Sequence, residues 1–129
     1  AELRLRLGKL HESLEAPDQA QALYEAAANL DGGEFSARAR FQLAALYESR
    51  GEYENAARNY MRLAILYIHE TLSPEALWRA GNCYTRLNNP AQAKSVLEEL
   101  ISDYPDSPFA KEAQSLLAQP SAGTAGAAE

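Results

Sequence analysis

LAALYESRGEYENAARNY (Leu43 to Tyr60) and AGNCYTRLNNPAQAKSVL (Ala80 to Leu97) are one pattern written twice, 37 residues apart. Tyr47 falls on Tyr84, Ala56 on Ala93 and Tyr60 on Leu97. A fainter copy lies upstream: Leu7-Gly8 aligns with Leu43-Ala44 and Ala80-Gly81, and Ala20 and Tyr24 stand 36 residues before Ala56 and Tyr60. A stride held so closely over three copies marks stacked units, each too small to bury its apolar face alone.

Within each copy the apolar spacing is helical and is broken once by a turn. Phe41, Leu43, Ala44 and Tyr47 recur at helical intervals, and Gly51 stops the run where a left-handed backbone is needed. A second helix follows, with Tyr53, Ala56, Ala57, Tyr60, Leu63 and Ala64 on its apolar stripe. Ser73-Pro74 and Asn89-Pro90 read as N-caps with proline in the first helical position, where the missing N–H is no loss. The first unit turns at Ala16-Pro17, and its second helix runs out at Asp31-Gly32-Gly33. The predicted fold is all-α, a right-handed superhelical solenoid of three helix-turn-helix repeats, residues 1–36, 37–73 and 74–106. A capping helix over 107–118, opened by Ser107-Pro108 and apolar along Phe109, Ala113, Leu116 and Leu117, closes it. Residues 119–129 lack large apolar side chains and read as a disordered tail.

Small residues decide how the helices meet. Gly8, Ala44 and Gly81 share one place in the pattern and Ala20, Ala56 and Ala93 another, so the two helices of each unit are expected to cross closely there. The run Leu63-Ala64-Ile65-Leu66-Tyr67-Ile68 is apolar on every side; burial between the second and third units is the expectation, exposure for association the alternative. Leu3, Leu7, Leu10 and Leu14 likewise imply that something covers the first helix.

Composition narrows the function. The 129 residues carry 18 acidic and 12 basic side chains, a net charge of -6, which opposes binding to phosphate backbones, so nucleic acid is not an expected partner. The lone Cys83 excludes an internal disulfide and any CxxC site and leaves both redox compartments open. No apolar run is long enough for a membrane span. The chain starts at Ala1 without a basic-then-apolar leader and reads as a processed chain or a piece of a longer one.

These features resemble the tetratricopeptide family. The residues that carry the resemblance are Leu7-Gly8, Ala20, Tyr24 and Ala27; Leu43-Ala44, Tyr47, Gly51, Tyr53, Ala56 and Tyr60; and Ala80-Gly81, Tyr84, Ala93, Leu97 and Pro105. The stride exceeds the family's usual 34 by three residues, a surplus expected in the second helix or its exit near Leu66-Tyr67-Ile68-His69. With the closing phrase DYPDSPFAKEA (Asp103 to Ala113), this longer repeat is similar to those of bacterial cell-envelope proteins, the Tol-Pal-associated periplasmic coordinator and the lipoprotein of the barrel-assembly machine. The resemblance implies a protein-binding scaffold in the periplasm or cell envelope, with the cytoplasm as the alternative.

Chemistry finds few materials. His11 takes the place of Tyr47 and Tyr84 and is expected to pack rather than ligate. His69-Glu70 opens like a zinc-peptidase motif, but Ser73 stands where the second histidine belongs. The resemblance puts Cys83 at a helix position that is usually small and buried, and burial keeps a thiol protonated. No phosphate loop is present, and no catalytic residue, metal or cofactor is expected.

A partner is expected on the inner face of the superhelix, lined by the first helix of each unit. That face is Glu2, Leu5, Arg6, Lys9 and Ser13; Arg38, Phe41, Gln42, Ala45 and Ser49; and Glu75, Trp78, Arg79, Asn82 and Arg86. It is more basic than the chain as a whole. An extended or helical peptide bearing acidic groups fits it, with Arg38, Arg79 and Asn82 as hydrogen-bonding anchors, Phe41 and Trp78 as apolar shelves, and Arg6, Lys9, Gln42 and Arg86 completing the surface. The competing reading has the charges merely solvated and both rings packed on the neighbouring unit. The face also departs from the family's chaperone-tail clamp: Arg79 keeps the clamp's arginine, but Lys9 and Gln42 replace its two asparagines and Glu75 a lysine. Self-association through apolar ends, at Leu3 or Leu66, is the alternative function.

Overall fold

Seven helices follow one another in the computed structural model, which describes residues 2–13, 17–29, 33–67 and 71–118, with the side chains of 10–13 and 17 left out. They are α1 (Glu2–Ser13), α2 (Pro17–Ala28), α3 (Glu34–Ser49), α4 (Tyr53–Leu66), α5 (Leu72–Arg86), α6 (Pro90–Asp103) and α7 (Pro108–Leu117). Each packs chiefly on its chain neighbours, and α1, α3, α5 and α7 also lie side by side in one row. The second helices touch one another less than the first helices do, so the first-helix face is the inner one of a helical-repeat solenoid.

Local chemistry sets the turns. Gly51 has φ 77 and Asn88, its counterpart 37 residues on, has φ 57; both reverse the chain in the left-handed region that glycine and asparagine tolerate. Asn89 caps α6 by accepting from the Gln92 amide, and Ser107 caps α7 by accepting from the Phe109 amide, each followed by its proline. Ser73-Pro74 behaves otherwise. The helix begins two residues earlier, at Leu72, with Thr71 in the cap place, and the buried Ser73 hydroxyl donates instead to the Tyr67 carbonyl. Ser36, also 37 residues before Ser73, does the same work one unit earlier, donating to the Ala27 carbonyl at 2.9 Å. These two hydroxyls tie the start of a first helix to the end of the preceding second helix.

The small-residue sites lie where the helices cross. Ala20, Ala44 and Ala56 have no exposure and Ala93 is buried. A Cβ on Gly8 would stand 2.6 Å from the Tyr24 ring, and one on Gly81 would stand 2.8 Å from Leu97 Cδ2. Buried side chains form two clusters. One holds Leu5, Ala20, Tyr24, Ala27, Ala28, Ala39, Leu43 and Leu46; the larger runs from Phe41 and Ala44 through α4, α5 and α6 to Ala110 and Ala113.

Two expectations give way. Ile65 and Leu66 are each 70% exposed, because a helix end that is apolar all round can turn only one stripe inward, and Leu63 holds it. Leu5, assigned to the open inner face, is buried in the smaller cluster. α4 ends at Leu66. The turn at Ala16, the stop at Asp31-Gly32, Ile68, His69-Glu70, the tail at 119–129 and the side chain of His11 lie outside the described residues.

Candidate functional site: the cleft between α3 and α5

Where α3 and α5 run side by side, the inner face opens into a cleft of about 530 Å³, lined by Ala45, Glu48, Ser49, Tyr53, Arg79, Asn82, Thr85 and Arg86. Its floor is a network built from buried aromatic rings. Tyr60, fully buried on α4, needs an acceptor for its hydroxyl and finds Glu48 Oε1 at 2.8 Å. Burial, reinforced by the Glu48 carboxylate, pushes the Tyr60 phenol well above its ordinary range. Phe41 meets the Tyr60 ring edge-on at 5.4 Å, and the Arg79 guanidinium lies over Phe41 at 5.3 Å.

Arg79 is also held by acids, Glu75 Oε2 at 3.2 Å and Glu48 Oε1 at 3.7 Å. Two carboxylates cancel its charge and fix its fork, so it organises the wall of the cleft more than it offers a free cation. Arg86 differs. It is exposed, it lies over the Tyr53 ring at 5.7 Å, and it makes no ion pair with a described residue. Asn82, half-buried beside it, makes no hydrogen bond with a described residue, so its amide can both donate and accept. Ser49 and Thr85 spend their hydroxyl protons on Leu46 and Gly81 carbonyls, leaving acceptor lone pairs.

The inner-face residues therefore separate. Arg79, Asn82 and Arg86 come together in the cleft with Ala45 and Ser49. Trp78 is half-buried, packs on the larger cluster, and edges a second cleft of about 430 Å³ with Lys111, Glu112, Ser115 and Leu116 of α7. Phe41 is only 8% exposed, so it supports Arg79 from beneath instead of presenting an open shelf. Gln42 is half-buried outside the cleft. Arg38 is exposed and pairs with Glu34 at 3.3 Å, Arg6 is exposed and pairs with Glu2 at 2.6 Å, and Lys9 is exposed on α1. Glu48 and Tyr53 escaped sequence reasoning. The signal for Glu48 is a buried tyrosine in need of an acceptor; the spacing of Tyr53 puts it on the apolar stripe and gives no sign that it also lines the cleft.

Among the described residues no group of His, Cys, Asp or Glu could hold a metal ion, and burial pushes the Cys83 thiol from 9.0 up to about 12. No described helix is long and apolar enough to cross a membrane.

Two family models, each described as a tetratricopeptide repeat, match residues 1–33 and 75–107, together just over half of the chain. The chain belongs to the tetratricopeptide-repeat family. Solved structures extend the likeness to nearly nine-tenths of the chain. This tetratricopeptide array is similar to the N-terminal domain of stress-induced protein-1 (STI-1) from C. elegans, with a TM-score of 0.76 and 18% identity over 88% of this chain and 91% of that one. It is also similar to PcrH, solved in complex with the chaperone binding region of PopB, with a TM-score of 0.71 and 26% identity over 89% and 92%. A search of curated proteins found no match.

Proposed function

We propose that this tetratricopeptide array is a non-enzymatic scaffold that holds an extended or helical segment of a partner protein on its first-helix face, centred on the α3–α5 cleft. The observation that carries the reading is the division of labour between two arginines. Arg79 is spoken for by Glu48 and Glu75, while Arg86 and Asn82 face the same cleft with no ion pair or side-chain hydrogen bond to a described residue. An unpaired guanidinium beside an amide suits a partner's carboxylate or backbone carbonyl. The cleft at Trp78 and α7 prolongs the surface, and Arg38, Gln42, Arg6 and Lys9 continue it towards the first unit. Support comes also from PcrH, whose structure contains a segment of another protein.

The test is fluorescence anisotropy with acidic peptides and their amide counterparts. An Asn82→Ala/Arg86→Ala double variant should lose about tenfold or more in affinity, the worth of one charged hydrogen bond. Undiminished binding with unchanged circular dichroism rejects the cleft. An envelope setting belongs to the same proposal and draws on the 37-residue stride and the Asp103-to-Ala113 phrase; recovery of the native protein solely from cytosol rejects it.

A second reading draws on α1, where Leu3 is 69% and Leu7 37% exposed. Such an edge fits a structural module that joins its own copies end to end. Light scattering decides: a concentration-dependent mass abolished by Leu3→Asp supports it, and a monomer at all concentrations rejects it.

A further inference from the structure

α4 leaves a second recess on the other side of the solenoid. Glu54, Arg58, Met61, Arg62, Ile65 and Leu66 follow one another along its outer face and, with Tyr84 of α5, enclose an open groove of about 510 Å³. From Glu54 to Leu66 the helix rises about 18 Å, the length of roughly three turns of a docked helix. The groove is chiefly apolar, with Ile65 and Leu66 each 70% exposed and Met61 and Tyr84 half-buried. Its charged rim is mostly basic. Arg62 makes no ion pair with a described residue, and Arg58 is tied only to Glu54 at 3.5 Å, an exposed pair of the kind worth about 0–1 kcal/mol.

We infer that this groove docks an acidic amphipathic helix of a partner protein. Aliphatic side chains one turn apart on that helix seat against Met61, Ile65, Leu66 and Tyr84, while carboxylates along its flank meet Arg58 and Arg62. Charge selects this occupant over a second copy of the chain. The apolar edge a second copy would bring, Leu3 and Leu7, carries the exposed Arg4, which makes no ion pair with a described residue and would face Arg58 and Arg62 with like charge, Arg6 being paired with Glu2. The recess suits a single helix and not a flat anionic membrane surface, which would press on Glu54 as well, whereas a helix can set its carboxylates beside Arg58 and Arg62 alone. None of the α3–α5 cleft residues takes part, so the two sites stand or fall separately.

A synthetic amphipathic helix with leucines on one face and flanking glutamates is the probe, beside a twin carrying lysines in their place, both read by anisotropy at low and high salt. The glutamate peptide binds, more weakly at high salt, and the lysine twin binds about tenfold or more weakly. Ile65→Asp and Leu66→Asp abolish binding with circular dichroism unchanged, since both side chains are exposed. Arg62→Glu narrows or reverses the preference; every protein compared carries Asn82→Ala/Arg86→Ala, so that capture of acidic peptides by the cleft does not enter the reading. Equal binding of the two peptides, no binding of the glutamate peptide, or binding that survives Leu66→Asp overturns the inference. So does a doubled mass that Leu66→Asp returns to monomer, which assigns the groove to a second copy, or co-sedimentation with phosphatidylserine vesicles that Leu66→Asp abolishes, which assigns it to a membrane.

Discussion

At Gly81 and Gly8 the same sequence signal carries two different strengths. An added Cβ on Gly81 meets the far end of the Leu97 side chain, which can turn aside, whereas on Gly8 it meets the fully buried Tyr24 ring. Replacing a mid-helix glycine by alanine gains up to about 1 kcal/mol in helix propensity. Gly81→Ala should therefore be near neutral and Gly8→Ala destabilising, while Gly81→Leu should cost about 1–3 kcal/mol by overpacking, all read from urea denaturation. Cys83 supplies a pH test. Its thiol is held protonated in the folded state, so the unfolded chain releases that proton first, and the associated stability is intact below pH 9.0 and lost as pH rises towards about 12. Cys83→Ala should flatten that alkaline decline, and the wild-type thiol should resist thiol reagents at neutral pH until the chain unfolds; a full reaction in the native state contradicts the burial.

Between elements, the seryl ties are the testable unit. Ser36→Ala and Ser73→Ala each remove a buried hydroxyl from a carbonyl at the end of a second helix, and each should cost about 1–2 kcal/mol by equilibrium unfolding. Ala110, 37 residues beyond Ser73 and fully buried, shows that a methyl group fits the space, so the loss is of bonding and not of packing. Their recurrence was visible in the sequence, but their partners were not: a serine beside a proline looks like a cap until the end of the preceding helix is placed. The helices, turns and crossing glycines were legible because each depends on neighbours a few residues away or on the stride itself. The cleft was only half legible. The stripe holding Arg79, Asn82 and Arg86 follows from helical periodicity, whereas the capture of Arg79 by Glu48 depends on how α3 lies against α5, a relation no local pattern encodes. Ile65 and Leu66 were misjudged for a related reason, since apolarity says what a residue prefers and not whether the chain has anything left to cover it.

For the molecule as a whole, α7 packs against both α5 and α6 and closes the larger cluster through Ala110 and Ala113. Trp78, the single tryptophan, borders it and reports on that closure. Removal of residues 108–129 should lower the thermal midpoint and shift Trp78 emission to the red; an unchanged spectrum would show that α7 does not shield the ring. The opposite end has a different character. Its buried side chains form a separate and smaller group, and α3 is the shared wall, giving Leu43 and Leu46 to one group and Phe41 and Ala44 to the other. A wall of that kind lets one room empty while the next stays furnished. Under mild urea, amide protons of α1 and α2 should swap with solvent well before those of α4 to α6, so that the protein comes apart from its first helix inward while the α5 half of the cleft persists.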